Sequence, residues 1–257
     1  MTTSPHSTSI DLARRLGTNA HVCEVVQNTS LSTSLREIVL QGSAVDLCGV
    51  PGNDVMIRMG DDSGSFTRRR YSVRSVDPER DQFTLWICTT HDGLGSQWAQ
   101  SAAPGDAVDV LGPRGKIPLD PNADWHLFMG DVTGFSAFYR MAQSIEAPGR
   151  ATFIVEIDHD DDTPSAQFSE GVAVSAVFVN RSGRSRTDPS GLLRGLGAFA
   201  FPGGEGHAYL FGEFSLINVL AAALLDRGLS DEQINRKAYW RVGRRNAENG
   251  EPEKDQS

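Results

Sequence analysis

The first half of the chain alternates short apolar stretches with Gly, Asn, Asp or Pro residues. Stretches of strand length begin near His21 and continue to Leu111, and in most of them every second residue is apolar. Short strands at roughly ten-residue spacing are typical of a small antiparallel barrel. The predicted strands after the first one are Leu35–Leu40, Asp54–Met59, Tyr71–Val76, Gln82–Thr89 and Ala107–Leu111.

The pattern changes after Pro121, where strand-length and helix-length periodicities alternate. Strands alternating with helices favour a parallel α/β sheet. The predicted strands are Trp125–Met129, Ala151–Ile157, Ala173–Val179, Ala208–Phe211 and Ala238–Val242, with helices at Phe135–Ile145 and Ser215–Arg227. We therefore expect two domains, a barrel at residues 18–120 and an α/β domain at 121–245, with a flexible N-terminus at 1–17 and a disordered tail at 246–257.

Composition excludes several classes of protein. No apolar run approaches the about 18 residues that cross a bilayer, and the first twenty residues lack a secretory signal, so we expect a soluble cytoplasmic protein without a membrane partner. A net charge of −9 argues against a nucleic-acid partner. The sequence does not indicate an oligomeric state.

Metal binding is not expected either. The three cysteines show no C-x-x-C spacing, and we interpret them as reduced and mostly buried. The stretch Glu156–Asp162 contains metal-ligand residue types, but its polar residues follow an apolar strand and are more typical of a solvated loop.

Two short motifs carry the candidate chemistry. In Arg69-Arg70-Tyr71-Ser72, a strand holds Arg69 and Tyr71 on one face, where they supply a cation and a ring platform. About twenty residues later, Gly95 and Ser96 open a predicted helix at Gly95–Ala102 with Ser96 as its N-cap. Glycine lets backbone approach a phosphate closely, and a helix N-terminus favours anions. Together the motifs indicate a site for a flavin dinucleotide.

The order of these motifs along the chain resembles the ferredoxin-reductase-like flavoproteins, and specifically the siderophore-interacting protein family of ferric-siderophore reductases. The resemblance covers roughly residues 18–245. It rests on the following stretches: Arg69–Arg74, His91–Ala99, Pro104–Asp106, Gly112–Pro113, Gly130-Asp131-x-Thr133, Gly212–Glu213 and Tyr239-Trp240-Arg241-x-Gly243.

The resemblance implies an FAD-binding antiparallel barrel followed by a nicotinamide-binding α/β domain with a parallel sheet. It implies an enzyme that takes electrons from NADPH or NADH, passes them through FAD to a ferric siderophore and thereby releases iron. The implied catalytic residues are Tyr71, Ser72 and Trp240. The implied cofactor-binding residues are Arg69, Tyr71, Ser72, Val73, His91, Gly95, Ser96, Trp98, Asp131, Thr133 and Glu213. On the substrate side we expect Arg58, Arg140 and Arg241.

Several positions depart from the pattern of that family. Val132 stands where the family usually has glutamate, and Phe135 and Ser136 follow where it has a small residue and proline. Met56 stands where a lysine is often found. These departures favour an alternative, a flavoprotein of the same fold recruited to a biosynthetic pathway that acts on an organic metabolite with nicotinamide use altered or lost. A third hypothesis is a non-catalytic binding module. The sequence does not distinguish NADPH from NADH.

Overall fold

A computed structural model describes residues 5–59, 67–115 and 117–243. The described residues divide into two compact units. The first comprises the chain up to Pro121 together with residues 135–147 and 161–171, and the second comprises residues 122–134, 148–160 and the chain from Val172 onward. The boundary near residue 121 was expected, but the return of two later segments to the first unit was not. The predicted tail at 246–257 lies outside the described residues.

The first unit is built on a closed six-stranded antiparallel barrel with strand order β1-β2-β5-β4-β3-β6. Its interior is filled by alternate apolar side chains from all six strands, with Val25, Ile38, Val55 and Leu85 fully buried. The strands are β1 (Asn19–Ser30), β2 (Leu35–Gln41), β3 (Asp54–Met59), β4 (Thr67–Asp77), β5 (Gln82–Cys88) and β6 (Ala107–Arg114).

Four helices belong to the first unit. They are α1 (Pro5–Leu16), α2 (Ala44–Cys48), α3 (Leu94–Ser101) and α4 (Phe135–Gln143). The expectation of a flexible N-terminus is wrong for residues 5–16, because α1 packs Leu12, Ala13 and Leu16 against Met56 and Leu111 of the barrel. Helix α2 was not predicted, since five residues are too few to show a helical period.

The second unit contains a five-stranded sheet in which every adjacent pair is parallel, with strand order β11-β10-β7-β8-β9. One face packs against two helices around a core that includes Leu127, Leu210 and Leu220. The strands are β7 (Trp125–Asp131), β8 (Gly149–Ile157), β9 (Val172–Asn180), β10 (Gly206–Glu213) and β11 (Ile234–Trp240), and the helices are α5 (Ser190–Ala198) and α6 (Phe214–Asp226).

Sequence periodicity predicted this alternation correctly apart from helix α5, whose three glycines hide its helical pattern. The last strand starts four residues earlier than expected, at Ile234. Short 3-10 turns at Val132–Gly134 and Asp231–Gln233 precede α4 and β11. Within the ranges described, no helix has the length and apolar character needed to cross a membrane.

Candidate functional site

The two flavin-site motifs meet in the first unit. The hydroxyl of Tyr71 lies against Gly95 so closely that a Cβ at residue 95 would overlap it, and the same Cβ would lie 3.5 Å from Cγ of Arg69. The ring of Tyr71 stacks on that of Trp98, with centroids 6.2 Å apart and planes inclined by 29°. The strand carrying Arg69 and Tyr71 and the start of helix α3 therefore form one surface, as the sequence predicted.

Burial gives Tyr71 a defined protonation state. Removal of the phenol from water raises its pKa above the ordinary value, and the nearby Arg69 opposes this shift only in part. The hydroxyl therefore remains protonated at neutral pH and can donate a hydrogen bond. Beside it, the Arg69 guanidinium donates through Nη1 to the Arg68 carbonyl at 2.8 Å.

Arg70 has a different role from its neighbour. Its guanidinium faces Asp54 of β3 and makes contacts of 2.8 to 3.1 Å with both carboxylate oxygens. Asp54 is only 1% exposed, so this pair fixes strand β4 on β3 from the face opposite Arg69. Asp54 was not anticipated from the sequence, although its position opposite Ser72 in the β3–β4 pair could have indicated it.

The neighbours of Tyr71 point into the barrel or lie at its wall. Ser72 is 6% exposed, next to Tyr71 in β4. Val73 is completely buried in the barrel core, and its amide donates to the Asn53 carbonyl at 3.2 Å. The side chain of Val73 therefore packs in the core, and its amide is bonded within the fold.

The start of helix α3 differs in detail from the prediction. The helix begins at Leu94, and its N-cap is Gly93, which has no capping side chain. The expectation that Ser96 caps the helix is wrong, because Ser96 lies inside the first turn and its hydroxyl donates to the Cys88 carbonyl at 3.4 Å. The amides of the first turn therefore receive no capping side chain. His91 lies half-buried in the loop that precedes this turn.

Helix α4 packs on the barrel through residues that include a departure from the family pattern, Ser136. The register between strands β4 and β5 shifts at Arg74, which forms a bulge. Beyond the bulge, the Ser136 hydroxyl accepts a hydrogen bond from the Trp86 amide at 2.9 Å and donates one to the Trp86 carbonyl at 3.1 Å. The Arg74 guanidinium lies 4.5 Å from the ring centroid of Trp86 and 5.7 Å from that of Tyr139. Ser136 thus completes the hydrogen bonding of an interrupted ladder.

The arginines expected on the substrate side of the first unit have other partners. Nη1 of Arg58 lies 3.6 Å from Asp109, a carboxylate that also accepts from Ser9 of α1 at 2.8 Å. Arg140 donates to the carbonyls of Cys48 and Gly49 at the end of α2. Met56, at the position where the family often has lysine, is 2% exposed beneath α1. The structure does not bring these cations to one place.

In the second unit, Asp131 joins the carboxyl ends of three strands. Its Oδ1 accepts from the Thr133 amide at 2.9 Å and from the Thr133 hydroxyl, and its Oδ2 accepts from the Glu213 amide at 2.9 Å and from the Trp240 indole at 3.0 Å. Asp131 is 2% exposed, and Gly212 makes room for it, since a Cβ there would lie 2.6 Å from Oδ2. The structure thus brings together four of the expected site residues.

The Glu213 carboxylate also accepts hydrogen bonds from within the fold. Its Oε2 caps helix α6 by accepting from the Leu216 amide at 2.9 Å, and its Oε1 accepts from the Val242 amide at 3.2 Å. Arg241 follows the last strand and lies between the anchored residues Trp240 and Val242, with its guanidinium 4.7 Å from the ring centroid of Phe214. Asp131 and Glu213 therefore fix the segment that carries Trp240 and Arg241.

The acidic residues of the stretch Glu156–Asp162 form ion pairs or hydrogen bonds. Glu156 is fully buried in β8 and pairs with Arg181 at 3.0 Å, and Asp158 pairs with Arg181 and with Arg186. Glu156 thus lies within the predicted strand, whereas the expected solvated loop is wrong for Asp162, which is 0% exposed and binds the hydroxyls of Ser32 and Ser34. Arg186, not anticipated from the sequence, also lies 5.8 Å from the Trp240 ring centroid.

The closed antiparallel barrel and the parallel five-stranded sheet together define a ferredoxin-reductase-like fold. A family model described as the siderophore-interacting FAD-binding domain matches residues 60–117, and one described as the siderophore-interacting protein matches residues 123–243. The two matches together cover more than half of the sequence. The chain belongs to the siderophore-interacting protein family and contains the FAD-binding domain of that family.

Individual proteins are similar to this chain in sequence or in fold. An uncharacterized protein of Mycobacterium tuberculosis is 28% identical over 189 residues, which is 68% of this chain and 65% of the relative, so the match spans slightly less than two thirds of that protein. A siderophore utilization protein from T. fusca has the same fold, with a TM-score of 0.77 and 23% identity over 90% of this chain and 96% of that one. The ferredoxin-NADP+ reductase from Plasmodium falciparum has a TM-score of 0.67 and 14% identity, over 86% of this chain and 97% of that one.

Proposed function

We propose that this chain is an FAD-dependent oxidoreductase that takes electrons from NADPH or NADH and delivers them to a ferric siderophore. The observation that carries the proposal is the convergence of Arg69, Tyr71, Gly95 and Trp98 on one surface. Membership of the siderophore-interacting protein family supports both the flavin and the substrate class.

The residues at this surface fit a flavin dinucleotide. Arg69 supplies a cation for the pyrophosphate, and the uncapped start of helix α3 supplies amides for the same group. Tyr71 supplies a ring and a protonated hydroxyl for the isoalloxazine, and Ser72 supplies a hydroxyl beside it. When bound, FAD would allow a two-electron hydride donor to serve a one-electron acceptor such as ferric iron.

The second unit would contribute the nicotinamide site at the carboxyl edge of its sheet, where ligands of open α/β sheets bind. Thr133, Trp240 and Arg241 lie at this edge and are held there by Asp131 and Glu213. In this proposal the two acidic residues support the site from within the fold.

The balance of electrons gives a quantitative test. A hydride carries two electrons and each ferric ion accepts one, so each NADPH or NADH oxidised should yield two ferrous ions. We would load the purified protein with FAD, remove oxygen, add either nicotinamide and follow the flavin absorbance. A ferric chelate with a ferrous-specific dye would then be added. Bleaching by one nicotinamide and two ferrous ions per hydride support the proposal.

A matched pair of variants tests the flavin surface itself. Arg69→Gln removes the cation beside Tyr71 and should weaken FAD binding by about tenfold or more, since a charged hydrogen bond is lost. Arg80→Gln removes the same charge from an exposed turn, where Arg80 pairs with Asp77, and should leave FAD affinity unchanged. Equal FAD affinity in the two variants would contradict the proposed site.

The runner-up function is a flavoprotein of the same fold that acts on an organic substrate. One observation favours it: the arginines of the barrel side already have partners within the fold. Arg58 lies against Asp109, and Arg140 donates to the end of α2. Met56 is covered by α1. An anionic iron chelate would then find fewer cations on the barrel than the family pattern implies. FAD that binds but ignores both nicotinamides and ferric chelates would favour this function.

A further inference from the structure

The last strand ends in a segment that two buried carboxylates hold from both sides. Asp131 accepts from the indole of Trp240 at 3.0 Å, and Glu213 accepts from the amide of Val242 at 3.2 Å. Arg241 lies between these two anchored positions. Neither carboxylate is more than 2% exposed, so neither can readily reach a ligand in solvent.

The Asp131 carboxylate accepts four hydrogen bonds from the described part of the chain. Two backbone amides, one hydroxyl and one indole N–H point at its two oxygens. An ionised carboxylate accepts all four, whereas an asparagine would turn an NH2 group toward at least one donor. The site is therefore built for a carboxylate that serves its own chain.

We propose that Asp131 is a positioning residue that sets the orientation of the Trp240 ring at the carboxyl edge of the sheet. Glu213 supports the same segment through the backbone of Val242. This inference rests on the proposed function, because Trp240 matters for turnover only if the edge receives the nicotinamide. It assigns Asp131 a role through Trp240, in place of the direct cofactor contact expected from the family motif.

A matched control exists at the opposite end of the same strand. Asp124 precedes β7 and accepts from the Glu205 amide at 2.8 Å, as Asp131 ends β7 and accepts from the Glu213 amide at 2.9 Å. Each aspartate lies against a glycine of the neighbouring segment, Gly204 or Gly212, at which a Cβ would collide with it. Asp124→Asn therefore makes the same chemical change at a distance from Trp240.

The test uses the indole N–H resonances of the FAD-loaded protein labelled with nitrogen-15, which contains four tryptophans. The Trp240 resonance is identified by its loss in Trp240→Phe. Asp131→Asn should move that resonance upfield and leave the Trp98 resonance in place, whereas Asp124→Asn should move neither. An unmoved Trp240 resonance in Asp131→Asn would overturn the inference whatever the activity of the variant.

The wild-type protein provides a second readout if Asp131→Asn does not fold. The Trp240 indole N–H is hydrogen-bonded and that of Trp98 has no such partner among the described residues, so Trp240 should exchange with deuterium at least about tenfold more slowly. Equal exchange rates would also overturn the inference.

Activity separates this inference from the proposed function. Asp131→Asn and Trp240→Phe should each lower kcat for flavin reduction by about tenfold or more. The kcat of the double variant should be no lower than that of the less active single variant. Additive losses would contradict a role of Asp131 through Trp240. If the wild-type protein reduces no flavin, the proposed function fails, while the two indole measurements still decide whether Asp131 positions Trp240.

Discussion

The Tyr71 hydroxyl occupies the place that a side chain at residue 95 would need. This contact joins a strand and a helix that are more than twenty positions apart in sequence, and it explains why residue 95 is glycine without reference to any ligand. It also means that the shape of the candidate flavin surface depends on how these two residues fit together.

Gly95→Ala should therefore displace the Tyr71 ring, cost about 1–3 kcal/mol of stability and weaken FAD binding. Gly93→Ala is the comparison, since its added methyl meets no atom within 4 Å and its backbone is extended, and it should weaken binding much less. Flavin fluorescence titration measures the affinities.

A second substitution tests the cause of this loss. Tyr71→Phe removes the oxygen that the new methyl group would meet, and the next ring atom, Cζ, lies 3.5 Å from that position. Adding Tyr71→Phe to Gly95→Ala should recover stability in thermal unfolding. If the double variant is no more stable than Gly95→Ala, steric overlap with the hydroxyl is not the reason for the glycine.

Ser136→Ala should destabilise the first unit. The substitution leaves the amide and carbonyl of Trp86 without their hydroxyl partner in a buried place, which costs about 1–3 kcal/mol. Ser144→Ala, at the exposed end of the same helix, removes a single bond to the Met141 carbonyl and should cost much less. Urea unfolding measures both, and equal losses would show that Ser136 does not repair the ladder at the bulge.

Stability should depend on pH through Glu156. Burial raises the pKa of this carboxyl above its ordinary 4.5, and its bond to Arg181 opposes the shift only in part. The folded state then binds the proton more tightly than the unfolded state, so this group's contribution is fully present below 4.5 and is lost as pH rises through the folded pKa.

Glu156→Gln, which does not titrate, should lack this component of the pH profile. The free energy of unfolding would be measured by urea denaturation of both proteins from pH 4.5 upward, with the exposed Glu146→Gln as control. Parallel profiles for wild type and Glu156→Gln would show that Glu156 does not titrate differently in the folded state.

Thiol reactivity should distinguish the three cysteines. Burial raises the pKa of Cys48 to about 12 against the opposing effect of Arg140, and burial with nearby Asp81 and Asp109 raises that of Cys23 to about 12. Thiolate is the reactive form, so neither should react at neutral pH in the folded protein.

One thiol per protein molecule should react rapidly with a disulfide reagent, and this thiol should be the half-exposed Cys88. Cys88→Ser should abolish the rapid reaction. All three thiols should react in urea. Rapid labelling of Cys23 or Cys48 in the native protein would mean that the barrel opens at those positions.

Local pattern predicted the strands and three of the six α-helices in the described residues, because alternation and helical spacing reflect burial directly. The convergence of Tyr71 with Gly95 was also predictable, since both motifs pointed to the same ligand. By contrast, the pairing of Asp131 with Trp240 and that of Ser136 with Trp86 depend on three-dimensional register. A motif can show that Asp131 matters, but only the structure shows that its oxygens face donors of its own chain.

The unusual residues after Gly134 illustrate the same point. Read as a motif, Phe135 and Ser136 suggested altered nicotinamide use, because they replace residues that the family shares. In the structure Phe135 is fully buried and Ser136 binds the Trp86 backbone. These departures serve the attachment of a helix to the barrel, so they are weak evidence about the electron donor.

Because residues 135–147 and 161–171 belong to the first unit, the part of the gene that encodes this unit is discontinuous. A clone ending at Pro121 would omit Ser136, which completes the β5 backbone, and Asp162, which holds the hydroxyls of Ser32 and Ser34. Such a clone would contain all six barrel strands but would lack the later segments that complete their hydrogen bonds.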